Sequence, residues 1–116
     1  MIGHHTIWDI YNCNTSKIKF VAPIKEILNQ VVTEIQLTKV AESYKQFEPF
    51  GATGFILLEE SHISIHTWPE HNFAAIDVFS CREFDIDKIN SLLSAYFETQ
   101  EIKTKVIQRG LIPQLK

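Results

Sequence analysis

The chain has 116 residues, 45% of them hydrophobic and 22% charged, with a formal net charge of −3. That length can bury a core without staples, so residues 1–116 are expected to form a single domain. The charge gives no general reason to bind nucleic acid or an anionic membrane, no apolar run is long enough to span a bilayer, and no signal-peptide layout opens the chain, which makes a cytoplasmic location the default.

Residues 2–11 are rich in β-favouring side chains and end at Asn12-Cys13-Asn14, which predicts a strand and a turn. Ile24, Ile27, Leu28, Val31, Val32 and Ile35 recur at helical spacing, with Pro23 in the first turn, where its missing N–H costs little. Strands are predicted at residues 37–44, 54–58, 61–67 and 74–80, with Pro49-Phe50-Gly51 as punctuation before the second of them. Ile86, Ile89, Leu92, Leu93, Tyr96 and Phe97 form a second helical stripe capped by Asp85, and residues 102–107 close the chain as a last strand. This order predicts an α+β fold: a two-layer α/β sandwich, mainly antiparallel, with two helices on one sheet face and two βαβ-like halves. The other sheet face, or an edge, then needs cover, and a homodimer is one way to supply it.

The chemistry concentrates in Glu60-Ser61-His62-Ile63-Ser64-Ile65-His66-Thr67-Trp68-Pro69-Glu70. A serine hydroxyl is a weak nucleophile, and the nearest target of Ser61 is its own preceding carbonyl, on Glu60. Attack there exchanges the peptide bond for an ester. Removal of the Ser61 α-proton then expels the Glu60 carboxylate, and the dehydroalanine left behind hydrolyses to a pyruvoyl group. The route needs a proton acceptor and a hydrogen-bond donor. His66 can accept, but positions five apart on a regular strand lie on opposite faces, so a bend, bulge or break near residue 61 is required. The plain alternative for Ser61 is a solvated loop hydroxyl, for Cys81 a buried inert thiol, and for Glu70 a solvated turn acid.

His62 and His66 are spaced i, i+4, which suits zinc only on a helix. The β-branched run between them argues for a strand, so no metal site is expected. Cys13 and Cys81 are not spaced as a redox or zinc pair, and free thiols are the expected state.

The stretch resembles the self-cleavage signature of the prokaryotic S-adenosylmethionine decarboxylase proenzymes. The likeness extends to Phe47-Glu48-Pro49-Phe50-Gly51-Ala52-Thr53-Gly54, to Ala74-Ala75-Ile76-Asp77-Val78-Phe79-Ser80-Cys81, to Gly3-His4-His5 with Asp9 and Cys13, and to Arg109-Gly110. The resemblance implies cleavage between Glu60 and Ser61 into a β chain of residues 1–60 and an α chain of residues 61–116. It makes Ser61 the precursor of a covalent pyruvoyl cofactor that forms a Schiff base with substrate. It makes His66 the base that takes the Ser61 α-proton and Thr53 the hydroxyl that hydrogen-bonds the processing intermediate. Cys81 becomes the proton donor to the substrate carbon. Phe47 would stack on adenine, Glu70 would bind the ribose hydroxyls, and Phe50 would add aromatic surface near the sulfonium.

The implied activity is decarboxylation of S-adenosylmethionine to supply the aminopropyl donor for spermidine and other polyamines. The implied assembly is a homodimer of processed protomers with active sites shared across the interface. The alternatives are an arginine or ornithine decarboxylase on the same scaffold, in which Glu70 pairs with a cationic side chain, or a catalytically silent regulatory homologue. Three departures from the family pattern bear on the pocket and on the processing rate. Arg82 follows Cys81 in place of glycine, His71-Asn72-Phe73 replaces a glycine-containing turn, and Glu59 adds a carboxylate beside the scissile bond.

Overall fold

The computed structural model describes residues 2–112. Among them, β1 (Gly3–Ile10), β2 (Lys39–Gln46), β3 (Ala52–Leu58), β4 (Ser61–Trp68), β5 (Phe73–Ser80) and β6 (Ile102–Arg109) form one sheet in the order β2-β3-β4-β5-β1-β6. Every neighbouring pair is antiparallel. β1 therefore runs parallel to β2, and β5 to β6. Each of these pairs is joined by a crossover helix, α1 (Val21–Ile35) and α2 (Ile86–Phe97). The two sequence halves interlock, because β1 of the first half inserts between β5 and β6 of the second.

The helical stripes read from periodicity are the ones that pack. In α1, Ile24, Ile27, Leu28, Val31, Val32 and Ile35 are all buried. In α2, Ile89, Leu93 and Phe97 are buried, while Leu92 and Tyr96 pack at the margin of the core. Asp85 caps α2 by accepting from the Lys88 N–H at 3.1 Å, which satisfies one of the orphan donors at a helix start. The same core takes Trp8, Ile10, Ile56, Ile63, Ile65, Ile76 and Val78 from one face of the sheet. Burial of each such side chain stabilises the fold by roughly 1.5–3 kcal/mol, and together they fix the strand register. No helix of the described residues is long and apolar enough to cross a membrane.

Among the described residues, no helix covers the opposite sheet face. Register places Leu57, His62, Phe79, His5 and Ile107 in one cross-strand row on it, and Phe55, Ser64, Asp77 and Ile7 in the next. Phe55 and Leu57 stay 40% and 43% exposed there.

Candidate active site

Ser61 opens β4 directly after a two-residue turn, Glu59-Glu60, and its pair with Leu58 closes the β3–β4 hairpin. Short hairpin loops match the strand twist by placing a residue at positive φ, a conformation that suits Gly or Asn. Here Glu60 occupies it, at φ 58°, at a cost of about 1–2 kcal/mol for a side-chain-bearing residue. The strained residue is thus the one whose carbonyl Ser61 would attack. The Cys81 thiol donates to that same carbonyl oxygen at 3.2 Å.

Cys81 lies just past the end of β5, exposed, and a side-chain turn holds it there. Ser80, almost fully buried, accepts from the Arg82 N–H at 3.0 Å and donates to the Arg82 carbonyl at 2.6 Å. Arg82 contributes only backbone to this turn, which explains how a residue other than glycine is tolerated at that position.

A second group gathers at the far end of the same hairpin. Thr53 on β3 and His66 on β4 are cross-strand partners, and Thr53 Oγ1 lies 3.1 Å from His66 Nδ1. With Phe47, Phe50, Trp68, Pro69 and Glu70 they line a cleft of about 370 Å³. Its floor is the loop between β2 and β3, tied down by Gln46. The Gln46 amide donates to the carbonyls of Lys19, Phe47 and Gly51 at 3.0, 3.1 and 3.0 Å. The Lys19 ammonium sits 5.4 Å from the centre of the Phe50 ring. The turn after Glu70 keeps its shape without glycine because Asn72 takes the left-handed conformation at φ 50°, which asparagine tolerates better than most residues.

Within one chain the two groups do not meet. Ser61 and His66 are five residues apart on a strand whose pairing shows no bulge between them, a separation of ~17 Å. Their side chains lie on opposite faces, Ser61 buried towards the helices and His66 exposed on the open face. The bend near residue 61 that a single-chain site requires is not there; β4 is regular from its first residue.

A third constellation escaped sequence reasoning. On the open face, His5 Nε2 and His62 Nε2 converge on one oxygen of Asp77, at 2.5 and 3.3 Å, and Ser64 donates to the other. Burial pushes the Asp77 carboxyl up, but the hydrogen bonds from Ser64, His5 and His62 outweigh it and hold the group below the ordinary carboxylate range. His62, read beside His66 as a possible i, i+4 pair, instead meets partners on β1 and β5. Those partners lie 57 and 15 residues away in the chain, and no local pattern marks them.

Cys13 is 4% exposed, and its thiol donates to the Ile10 carbonyl at 3.4 Å. Burial raises its pKa to about 11, so it carries almost no thiolate at neutral pH. Alkylation of the folded chain at pH 8 is expected to label the exposed Cys81 and leave Cys13 untouched until denaturant is added. Peptide mapping reads the two sites separately, and equal labelling of both in the folded protein contradicts a structural role for Cys13.

The family described as S-adenosylmethionine decarboxylase matches residues 4–110. The S-adenosylmethionine decarboxylase proenzyme of Persephonella marina is 43% identical, over 97% of this chain and 85% of the relative. The proenzyme of the same name from Archaeoglobus fulgidus is 36% identical, over 95% of this chain and 99% of the relative. The crystal structure of the adenosylmethionine decarboxylase from Aquifex aeolicus superposes with a TM-score of 0.84 at 38% identity, covering 96% of this chain and 92% of that one.

Proposed function

The chain belongs to the S-adenosylmethionine decarboxylase family, and we propose that its active site is assembled from two copies packed through their open sheet faces. It decarboxylates S-adenosylmethionine, which supplies the aminopropyl donor for polyamine synthesis, and is made as a proenzyme whose pyruvoyl cofactor derives from a serine by self-cleavage. The arginine and ornithine alternatives are not favoured by these relationships. A cytoplasmic location remains part of the proposal.

The single observation that supports the composite site is the separation of the candidate residues into two groups at opposite ends of one hairpin: Ser61 with Cys81, and Thr53 with His66, Phe47, Phe50 and Glu70. A two-fold axis lying between stacked sheets and across the strands sets the first group of one copy opposite the second group of the other. The relation holds twice by symmetry. It also covers Phe55, Leu57 and their neighbours, which one copy leaves exposed.

The residues fit the serine-derived cofactor. Ser61 Oγ attacks the Glu60 carbonyl carbon, the thiol of Cys81 donates to the oxygen on which charge develops, and the left-handed strain at Glu60 is relieved when the chain parts. The Ser61 side chain turns towards the helices, so a base arriving over the open face meets the other side of its α-carbon. His66 of the second copy takes the α-proton there, with Thr53 fixing its ring. Once formed, the pyruvoyl carbonyl is the electron sink for loss of the substrate carboxylate. Cys81 then protonates the substrate carbon, Phe47 and Phe50 offer ring faces to the adenine and sulfonium, and Glu70 accepts from the ribose hydroxyls.

Mixed dimers test this arrangement. Ser61→Ala chains have nothing to cleave. His66→Ala chains alone stall at the ester, which hydroxylamine opens. Refolded together in equal amounts, about half of the His66→Ala chains enter mixed dimers and are expected to cleave there without hydroxylamine, using His66 of the Ser61→Ala copy. If the mixture stays uncleaved while native mass spectrometry shows mixed dimers, the site is not shared.

A further inference from the structure

We infer that His62 and Asp77 act as positioning residues that hold Ser61 against Cys81, a role that rests on the reading of Ser61 as the cleavage residue. Ser61 and Cys81 sit at the ends of two adjacent strands, Ser61 as the first residue of β4 and Cys81 just past the last residue of β5. What sets their spacing is the β4–β5 pairing immediately behind them, whose terminal pair on this side is His62 with Phe79. At that pair the open face carries a clamp. The His62 ring lies between Phe55 and Phe79, with centroids at 5.5 and 6.1 Å and interplanar angles of 24° and 15°. Its Nε2 bonds to Asp77, which also holds His5 from β1 and Ser64 from β4. His5 closes the cluster edge-on to His62 at 6.0 Å. Three strands are thus joined through the carboxylate of Asp77, four residues behind Cys81, and His62, which it holds, is the residue next to Ser61.

A half-buried carboxylate with two imidazoles and a hydroxyl on it is more than strand cohesion requires. The stacked rings resist sliding along the strand, and the Asp77 bonds resist rotation about it. Hydrogen bonds to a charged acceptor in a partly dry site are also the stronger class. The thiol-to-carbonyl contact at 3.2 Å depends on this registration, because small misplacements of reacting groups cost rate steeply.

The test is a double-mutant cycle on the rate of self-cleavage of freshly refolded full-length chain, followed by intact mass. His62→Phe keeps an aromatic ring between Phe55 and Phe79 and removes only the bond to Asp77. Asp77→Ala removes the acceptor. His62→Phe is expected to slow cleavage about tenfold, the effect of losing one charge-assisted hydrogen bond, and Asp77→Ala, which also releases His5 and Ser64, at least about tenfold. The double variant is expected to stay near the Asp77→Ala rate rather than multiply the two effects, since His62 acts through Asp77. Asp77→Asn, which keeps an acceptor for the imidazoles and an amide for Ser64, is expected to recover most of the rate.

Melting temperatures within a few degrees of the parent separate positioning from general destabilisation. Wild-type rates in either single variant, additive slowing, or rates that fall in step with melting temperature overturn the inference. So does failure of Asp77→Asn to rescue. The donor atoms of His5, His62 and Asp77 all lie within 4.8 Å of one another, a spacing a divalent cation can use. Dialysis against EDTA is therefore expected to leave the rate unchanged, and a loss restored by added zinc overturns the hydrogen-bonded reading. Absence of cleavage at residues 60–61 in the parent chain would instead remove the premise.

Discussion

Replacing Ser61 by alanine is expected to leave the protein as one chain of 13.4 kDa, while the parent separates into residues 1–60 and 61–116. The reason is stoichiometric. The hydroxyl supplies the oxygen of the ester, and the same residue's α-carbon becomes the carbonyl of the cofactor, so no neighbour can substitute. Ser64, the next serine on β4, lies on the open face and is engaged by Asp77, and Ser80 is spent on the Arg82 turn. The Ser61→Ala chain should remain folded, because the change removes one hydroxyl at the end of a strand whose core contacts are made by Ile63 and Ile65. Intact-mass spectrometry after long incubation reads the result. Two chains in the Ser61→Ala sample, or one in the parent, contradict the assignment.

Cys81→Ala is expected to lower turnover of S-adenosylmethionine by about a hundredfold or more, the size of a lost proton-transfer group. Self-cleavage should slow by only about tenfold, because a thiol is a weak donor to the Glu60 carbonyl. The two effects separate when fully cleaved variant is assayed for CO2 release. Full activity in cleaved Cys81→Ala protein removes the proton-donor role, whatever happens to the cleavage rate. Cys81→Ser adds a second reading: a hydroxyl restores the hydrogen bond to Glu60 but is a poorer acid, so cleavage should recover more than turnover.

The helices and strands were legible because burial repeats the local period. The six apolar positions predicted for the first helix are the six that α1 buries, and the strand predicted at residues 61–67 is β4, whose alternation puts Ile63 and Ile65 on the core face and His62, Ser64 and His66 on the other. The halves were also legible in order, but not in arrangement. Nothing local says that β1 threads between β5 and β6, since either edge of the sheet offers the same backbone groups. The Thr53–His66 contact was anticipated only as two roles in one process. Its reality as a cross-strand pair follows from the β3–β4 register.

By itself, the sequence determined the element list, the amphipathic faces, the family and the residue types available for self-cleavage, because each of these depends on neighbours in the chain or on motif spacing. Only the tertiary structure decided which of those residues meet. It set the Cys81 thiol on the Glu60 carbonyl and gathered His5 and His62 on Asp77. It also separated Ser61 from His66 along a regular strand. Those outcomes depend on strand order and register, which are fixed by burying one sheet face against two helices and not by any short-range rule.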